Sequence, residues 1–168
     1  MASIIKVDTI QDATGAFEHA RLVQMVNVLS NAASTGTTLI PADDTIPQNT
    51  EGDQVMTLAI TPTHASNKLK IEVTAFVCDS HADSVNMALF QDSDAGALAA
   101  TEEYQGDSNA PLALVLCYYM TTGTTSSTTF KVRVGSASAS TTTFNGNSGT
   151  RRFGDIPKSS ITISEIRV

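Results

Sequence analysis

Asn67–Ser80 reads NKLKIEVTAFVCDS, and its alternation decides the fold class. Leu69, Ile71, Val73, Ala75 and Val77 fall on one side of an extended chain, and Lys68, Lys70, Glu72 and Thr74 on the other. Side chains alternate across a strand with a period of two, so this is a half-buried strand with its apolar side inward. TTFKVRVGS, Thr128–Ser136, repeats the pattern: Phe130, Val132 and Val134 point inward, Lys131 and Arg133 toward water. Further strands are expected at Leu22–Ser30, Gln54–Thr61, Val85–Gln91, Leu112–Met120, Thr141–Phe144 and Ser160–Val168, separated by runs rich in Gly, Asn, Asp, Ser and Pro. All five prolines, Pro41, Pro47, Pro62, Pro111 and Pro157, lie between these runs, as they must if proline cannot donate to a sheet ladder. Threonine and serine abound and tryptophan is absent, which suits a pleated, half-buried surface.

Eight or so short strands in 168 residues predict one all-β domain, an antiparallel sandwich. A chain of this length buries roughly 70% of the surface that its unfolded form exposes. Among the connections, Thr121–Phe130 is expected to form a hairpin, and Asn145-Gly146 supplies the chemistry of a positive-φ turn. DAGALAATEEY, Asp94–Tyr104, reads as a loop with room for a short helix, which Ala and Glu favour. LALVLCYYM, Leu112–Met120, shows no alternation before Tyr118 and is expected to be covered on both faces. In a two-sheet sandwich the second cover is a neighbouring subunit, which makes Tyr118, Tyr119 and Met120 the candidate interface residues.

The net charge of −7 argues against nucleic acid, whose affinity is drawn from clustered Lys and Arg. No run approaches the roughly 18 apolar residues of a membrane-spanning helix, and no signal peptide is expected, because Lys6 and Asp8 interrupt the one apolar stretch near the start. Cys78 and Cys117 each sit in an apolar strand and read as small buried hydrophobes of a reducing cytoplasm, pairing only if their strands are neighbours. His19, His64 and His81 lack metal-ligand spacing, and no Gly-x-Ser-x-Gly elbow occurs. The acidic loop with Asp43, Asp44, Glu51 and Asp53 offers hard oxygens for calcium, but its spacing is not that of an EF-hand and Pro47 stiffens it, so a solvated loop is expected. Glu102 and Glu103 are adjacent, point to opposite faces of an extended chain, and cannot flank one glycosidic bond. Arg151-Arg152 reads as a solvated pair or as a contact for an acidic partner. The sequence therefore points to no catalytic residue, cofactor or metal.

ITPTHASNKLKIEV, ALFQDSDAGALAA, TTGTTSSTTFKVRVG, TFNGNSGTRRFGD and SSITISEI, in that order, resemble a widespread group of bacteriophage structural proteins labelled tail-fibre-like. The opening MASIIKVDTIQDATG also resembles the start of phage fibre proteins, especially those of marine and cyanobacterial phages. The resemblance implies a jelly roll similar in topology to tumour necrosis factor, commonly assembled as a homotrimer. The expected organisation is an extended arm over residues 1–20 and a jelly-roll domain over 21–168. Ile4, Ile5, Val7 and Ile10 are too apolar to be left in water, so the arm is expected to anchor the protein to a virion partner such as the major capsid protein, adding a strand to an exposed sheet edge. Two roles fit the resemblance: a capsid decoration or cement protein, and a tail-fibre protein gripping a host surface glycan. Only about twenty residues precede the first strand, too few for a shaft, and aromatics are only 5%, which favours decoration of the shell.

Overall fold

The computed structural model describes residues 21–167. Twelve strands follow one another: β1 (Arg21–Ser30), β2 (Ser34–Gly36), β3 (Asp53–Ile60), β4 (Lys68–Asp79), β5 (Ser84–Gln91), β6 (Ala99–Tyr104), β7 (Leu112–Thr121), β8 (Thr128–Ser136), β9 (Thr142–Phe144), β10 (Gly146–Asn147), β11 (Thr150–Arg151) and β12 (Ser159–Arg167). One sheet runs β1-β12-β4, with β7 on the far side of β4 and the short β9 and β2 continuing past its end. The second sheet runs β3-β8-β5-β6, and every pairing is antiparallel. Counting only the eight long strands, the first, eighth, third and sixth form one layer and the second, seventh, fourth and fifth the other. That order is the double wrapping of a jelly roll.

The inward faces that alternation predicts meet between the layers. Leu69, Ile71, Val73 and Val77 of β4, with Ile161 and Ile163 of β12 and Leu114 and Leu116 of β7, pack against Val85, Met87 and Leu89 of β5 and Phe130, Val132 and Val134 of β8. Each such side chain contributes about 1.5–3 kcal/mol when taken fully out of water.

Three local expectations are corrected. Thr121–Phe130 is not a hairpin, because β7 pairs with β4 and β8 pairs with β3 and β5, so the connection crosses from one sheet to the other. Asp94–Tyr104 holds no helix; Ala99–Tyr104 is β6, and its ladder with Val85–Leu89 overrides the local preference of Ala and Glu. The tight turn after β9 is Ser148-Gly149, both at positive φ, between the paired Asn147 and Thr150. Asn145 is also at positive φ, but it serves as a buried clasp. Its amide donates to the Ser30 carbonyl at 2.9 Å, and its Oδ1 accepts from the Ser159 hydroxyl at 2.6 Å.

Candidate interaction surface

The β1-β12-β4-β7 sheet turns one face inward and the other away from the core, and register sets what the outward face carries. Across the strands the rows are Leu22–Ile166–Lys68–Thr121, Met25–Ser164–Lys70–Tyr119, Asn27–Thr162–Glu72–Cys117 and Leu29–Ser160–Thr74–Val115. The middle of the face is polar, with Lys70 and Glu72 joined at 2.7 Å. That hydrogen bond to Glu72 raises the Lys70 pKa. The margins are apolar: Leu22, Met25 and Leu29 on β1, Val115 and Tyr119 on β7, all more than half exposed. Two apolar stripes thus flank a polar strip on one face of the sheet.

Strand β7 does alternate, which corrects its reading as uniformly apolar. Leu114 and Leu116 are buried, Tyr118 and Met120 pack half-buried against the core, and Ala113, Val115, Cys117 and Tyr119 lie on the outward face. Hydropathy hides the period because both faces carry apolar side chains. Of the three candidate interface residues, Tyr119 stands on the outward face, while Tyr118 and Met120 face the core. Ile4, Ile5, Val7, Ile10 and His19 lie outside the described residues.

Several of the remaining candidates are held by local partners. Asp43 accepts from the Thr45 amide (2.8 Å) and hydroxyl, bonds that lower its pKa. Glu51 accepts from the Gln48 amide at 2.8 Å, and Asp53 from the Thr38 amide and hydroxyl at 3.0 and 2.9 Å. Among the described residues no three His, Cys, Asp or Glu side chains converge. The Ser84 hydroxyl donates to Glu102, opposite Asn86, whereas Glu103 stands opposite Val85 on the other face. Arg151 pairs with Asp155 at 2.5 Å on a tip where Phe153 and Ile156 are both exposed. Cys78 is buried and Cys117 exposed; Cys78 stands opposite Thr143, Cys117 opposite Glu72, six positions along β4, or roughly 20 Å. The two cannot bridge within one chain.

Sequence reasoning missed Glu165. Its place in the inward-facing series of β12, after Ile161 and Ile163, was the available signal. The side chain is fully buried and has no cationic partner among the described residues. It accepts instead from Gln24 (2.6 Å), Asn67 (2.6 Å), the Thr63 amide and hydroxyl (2.9 and 2.8 Å) and the His64 amide (3.3 Å). Burial alone would raise its pKa, but the bonds from Asn67, Gln24 and Thr63 outweigh it and hold the carboxyl at about 2. Glu165 thus fastens the loop between β3 and β4 to the end of the sandwich.

No protein-family model matches the chain, and neither does any curated protein. Solved structures are similar in shape at low identity. The Eiger TNF of S. frugiperda is 11% identical, with 88% of this chain and 94% of that one covered and a TM-score of 0.48. A CBM4 structure is 13% identical, with 82% of this chain and 81% of that one covered and a TM-score of 0.41. The VP2 subviral particle of infectious bursal disease virus is 8% identical, with 99% of this chain and 44% of that one covered and a TM-score of 0.38. The jelly roll itself rests on the strand order. Among the described residues no helix is long and apolar enough to cross a membrane.

Proposed function

We propose that this chain is a non-enzymatic structural protein of a bacteriophage virion, a homotrimer that sits on the capsid shell and stabilises it. The observation that carries the reading is the pair of apolar margins on one sheet face, Met25 and Leu29 on β1 and Val115 and Tyr119 on β7. A two-fold contact needs one self-complementary patch, whereas a head-to-tail ring needs two different patches on each subunit. Two unlike margins on opposite edges of one face suit the ring: the β7 margin of one protomer meets the β1 margin of the next. The polar strip of Lys70, Glu72 and Thr162 then lies between the contacts.

The residues 1–20 arm, with Ile4, Ile5, Val7 and Ile10, supplies the attachment to the shell. Three arms per trimer multiply a weak single contact through avidity. Light scattering on the purified full chain should give three chain masses, and a monomer at micromolar concentration refutes the ring. Deleting residues 1–15 should abolish binding to shells stripped of the protein while leaving the trimer intact. Wild-type decoration by the truncated chain refutes the anchor.

A further inference from the structure

At one end of the sandwich a cleft of about 450 Å³ opens between the start of β1, the end of β12 and the loop between β3 and β4, lined by Arg21, Val23, Thr63, His64, Ser66, Asn67 and Arg167. The volume falls within the range of small-molecule sites. Arg21 and Arg167 stand directly opposite each other across the β1-β12 ladder, an arrangement that costs free energy unless something negative lies between them. Among the described residues the ion pairs are Lys70–Glu72 and Arg151–Asp155, so neither arginine belongs to one.

The backbone is bent to create this juxtaposition. Gln24, Val26 and Val28 are the inward positions of β1, which would turn Arg21 outward beside Met25 if the ladder were regular. The register shifts between Leu22 and Gln24, so Val23 is an extra residue and Arg21 swings round to face Arg167 on the inward side, in line with Ile161, Ile163 and Glu165. Bulges of this kind re-aim side chains and cluster next to binding sites.

The rest of the lining is stiff and rich in donors. The Ser66 amide donates to His64 Nδ1 at 3.2 Å and the Ser66 hydroxyl lies 2.8 Å from the same atom, which places the proton of the neutral ring on Nε2. Asn67, Thr63 and the His64 backbone are clamped from behind by Glu165. With two guanidinium groups in front and one carboxylate behind, the described charges leave a single positive charge, which matches a monoanion better than a phosphate dianion. Guanidinium groups also fit a carboxylate bidentately. Val23 is the one apolar side chain of the lining and no Phe, Tyr or Trp ring is present, so a neutral sugar has only the His64 imidazole to stack on, whereas hydroxyl, amide and imidazole groups suit a polyhydroxylated acid.

We infer that this cleft binds the carboxylate of an acidic saccharide, a uronate-type unit held between Arg21 and Arg167 with its hydroxyls toward Ser66 and His64. The site lies within one chain and does not depend on trimer formation or on attachment to a shell. Titration calorimetry on the full chain with glucuronate, glucose, acetate, inorganic phosphate and a short glutamate peptide tests it. Glucuronate should bind with a Kd on the order of 1 mM, as for a weak single-residue site, and at least about tenfold more tightly than glucose, acetate or phosphate. Raising the salt should weaken it. Arg21→Gln and Arg167→Gln should each weaken glucuronate about tenfold or more without lowering the melting temperature, since both side chains are exposed and their mutual repulsion is relieved, and Arg167→Lys should lose less. Equal affinity for glucose and glucuronate, tighter binding of phosphate or of the glutamate peptide, no binding of any acid, or unaltered affinity in both glutamine variants overturns the assignment.

Discussion

The two sheets of this jelly roll have outward faces that are treated in opposite ways. On the β3-β8-β5-β6 sheet the chain covers its own face: Ile40, almost fully buried, lies on Ala88 and Phe90 to form a second small core. The covering segment is stitched down by Ile40 to the Ser136 carbonyl (3.1 Å), by Asn86 to the Ile40 carbonyl (2.7 Å) and by Gly52 to the Leu39 carbonyl (2.8 Å). Gly135 permits the approach, because a Cβ there would stand 2.5 Å from the Thr38 carbonyl oxygen. On the β1-β12-β4-β7 sheet no such cover exists among the described residues, and Met25, Leu29, Val115 and Tyr119 remain exposed. The lesson is one of division of labour: a face closed within the chain contributes to the stability of the monomer, and an apolar face left open is available to association.

If that division holds, mutations on the two faces should separate cleanly. The largest loss of monomer stability belongs to the covered face. Ile40→Ala removes a buried plug and should cost about 2–5 kcal/mol in chemical denaturation, lowering the melting temperature by several degrees. A cost near zero would mean that the segment around Ile40 covers its sheet only loosely and that the contrast is false.

The second effect lies at the end of the sandwich, where β1 is tied to the loop before β4. Glu165 is held ionised down to about pH 2, against an ordinary value of 4.5, so in acid the unfolded chain binds the proton that the folded chain refuses. The stabilisation is therefore complete above the unfolded pKa and is lost as pH falls from about 4.5 through 2, up to about 3 kcal/mol in all. Urea melts across that interval should show the fall in the wild type. Glu165→Gln should be weaker at neutral pH, because an amide cannot accept all the donors, and should lack this part of the acid slope. Identical pH profiles would remove Glu165 from the account.

The smallest effect on the monomer belongs to the open face. Tyr119→Asp should change the stability of the isolated chain by no more than about 0.5 kcal/mol, as at ordinary exposed positions, yet should dissociate the proposed trimer, because a charged carboxylate replaces the apolar ring of the β7 margin and draws Lys70 opposite it away from Glu72. Met120→Asp, one residue along and half-buried against the core, should instead destabilise the isolated chain by about 1–3 kcal/mol. Sedimentation together with circular dichroism distinguishes the two, and a trimeric Tyr119→Asp protein would sharpen the comparison by moving the contact off β7.

Local pattern by itself determined the all-β class, the inward faces of β4 and β8 and the breaks at the five prolines, because alternation and the missing proline donor act within a few residues. It also determined that Glu102 and Glu103 part to opposite faces. Pairing across sequence distance lay beyond it. That β7 and β8 belong to different sheets, that Ile40 plugs a sheet 46 residues away at Asn86, and that β6 is a strand despite its Ala and Glu were decided by which backbones found ladder partners. The same holds for the cleft: Arg21 and Arg167 stand 146 positions apart, and they face each other only because Val23 is an extra residue in the ladder. A period of two is a property of one strand, whereas partner, register and bulge are properties of two, and they are fixed when the apolar faces of both layers are buried together.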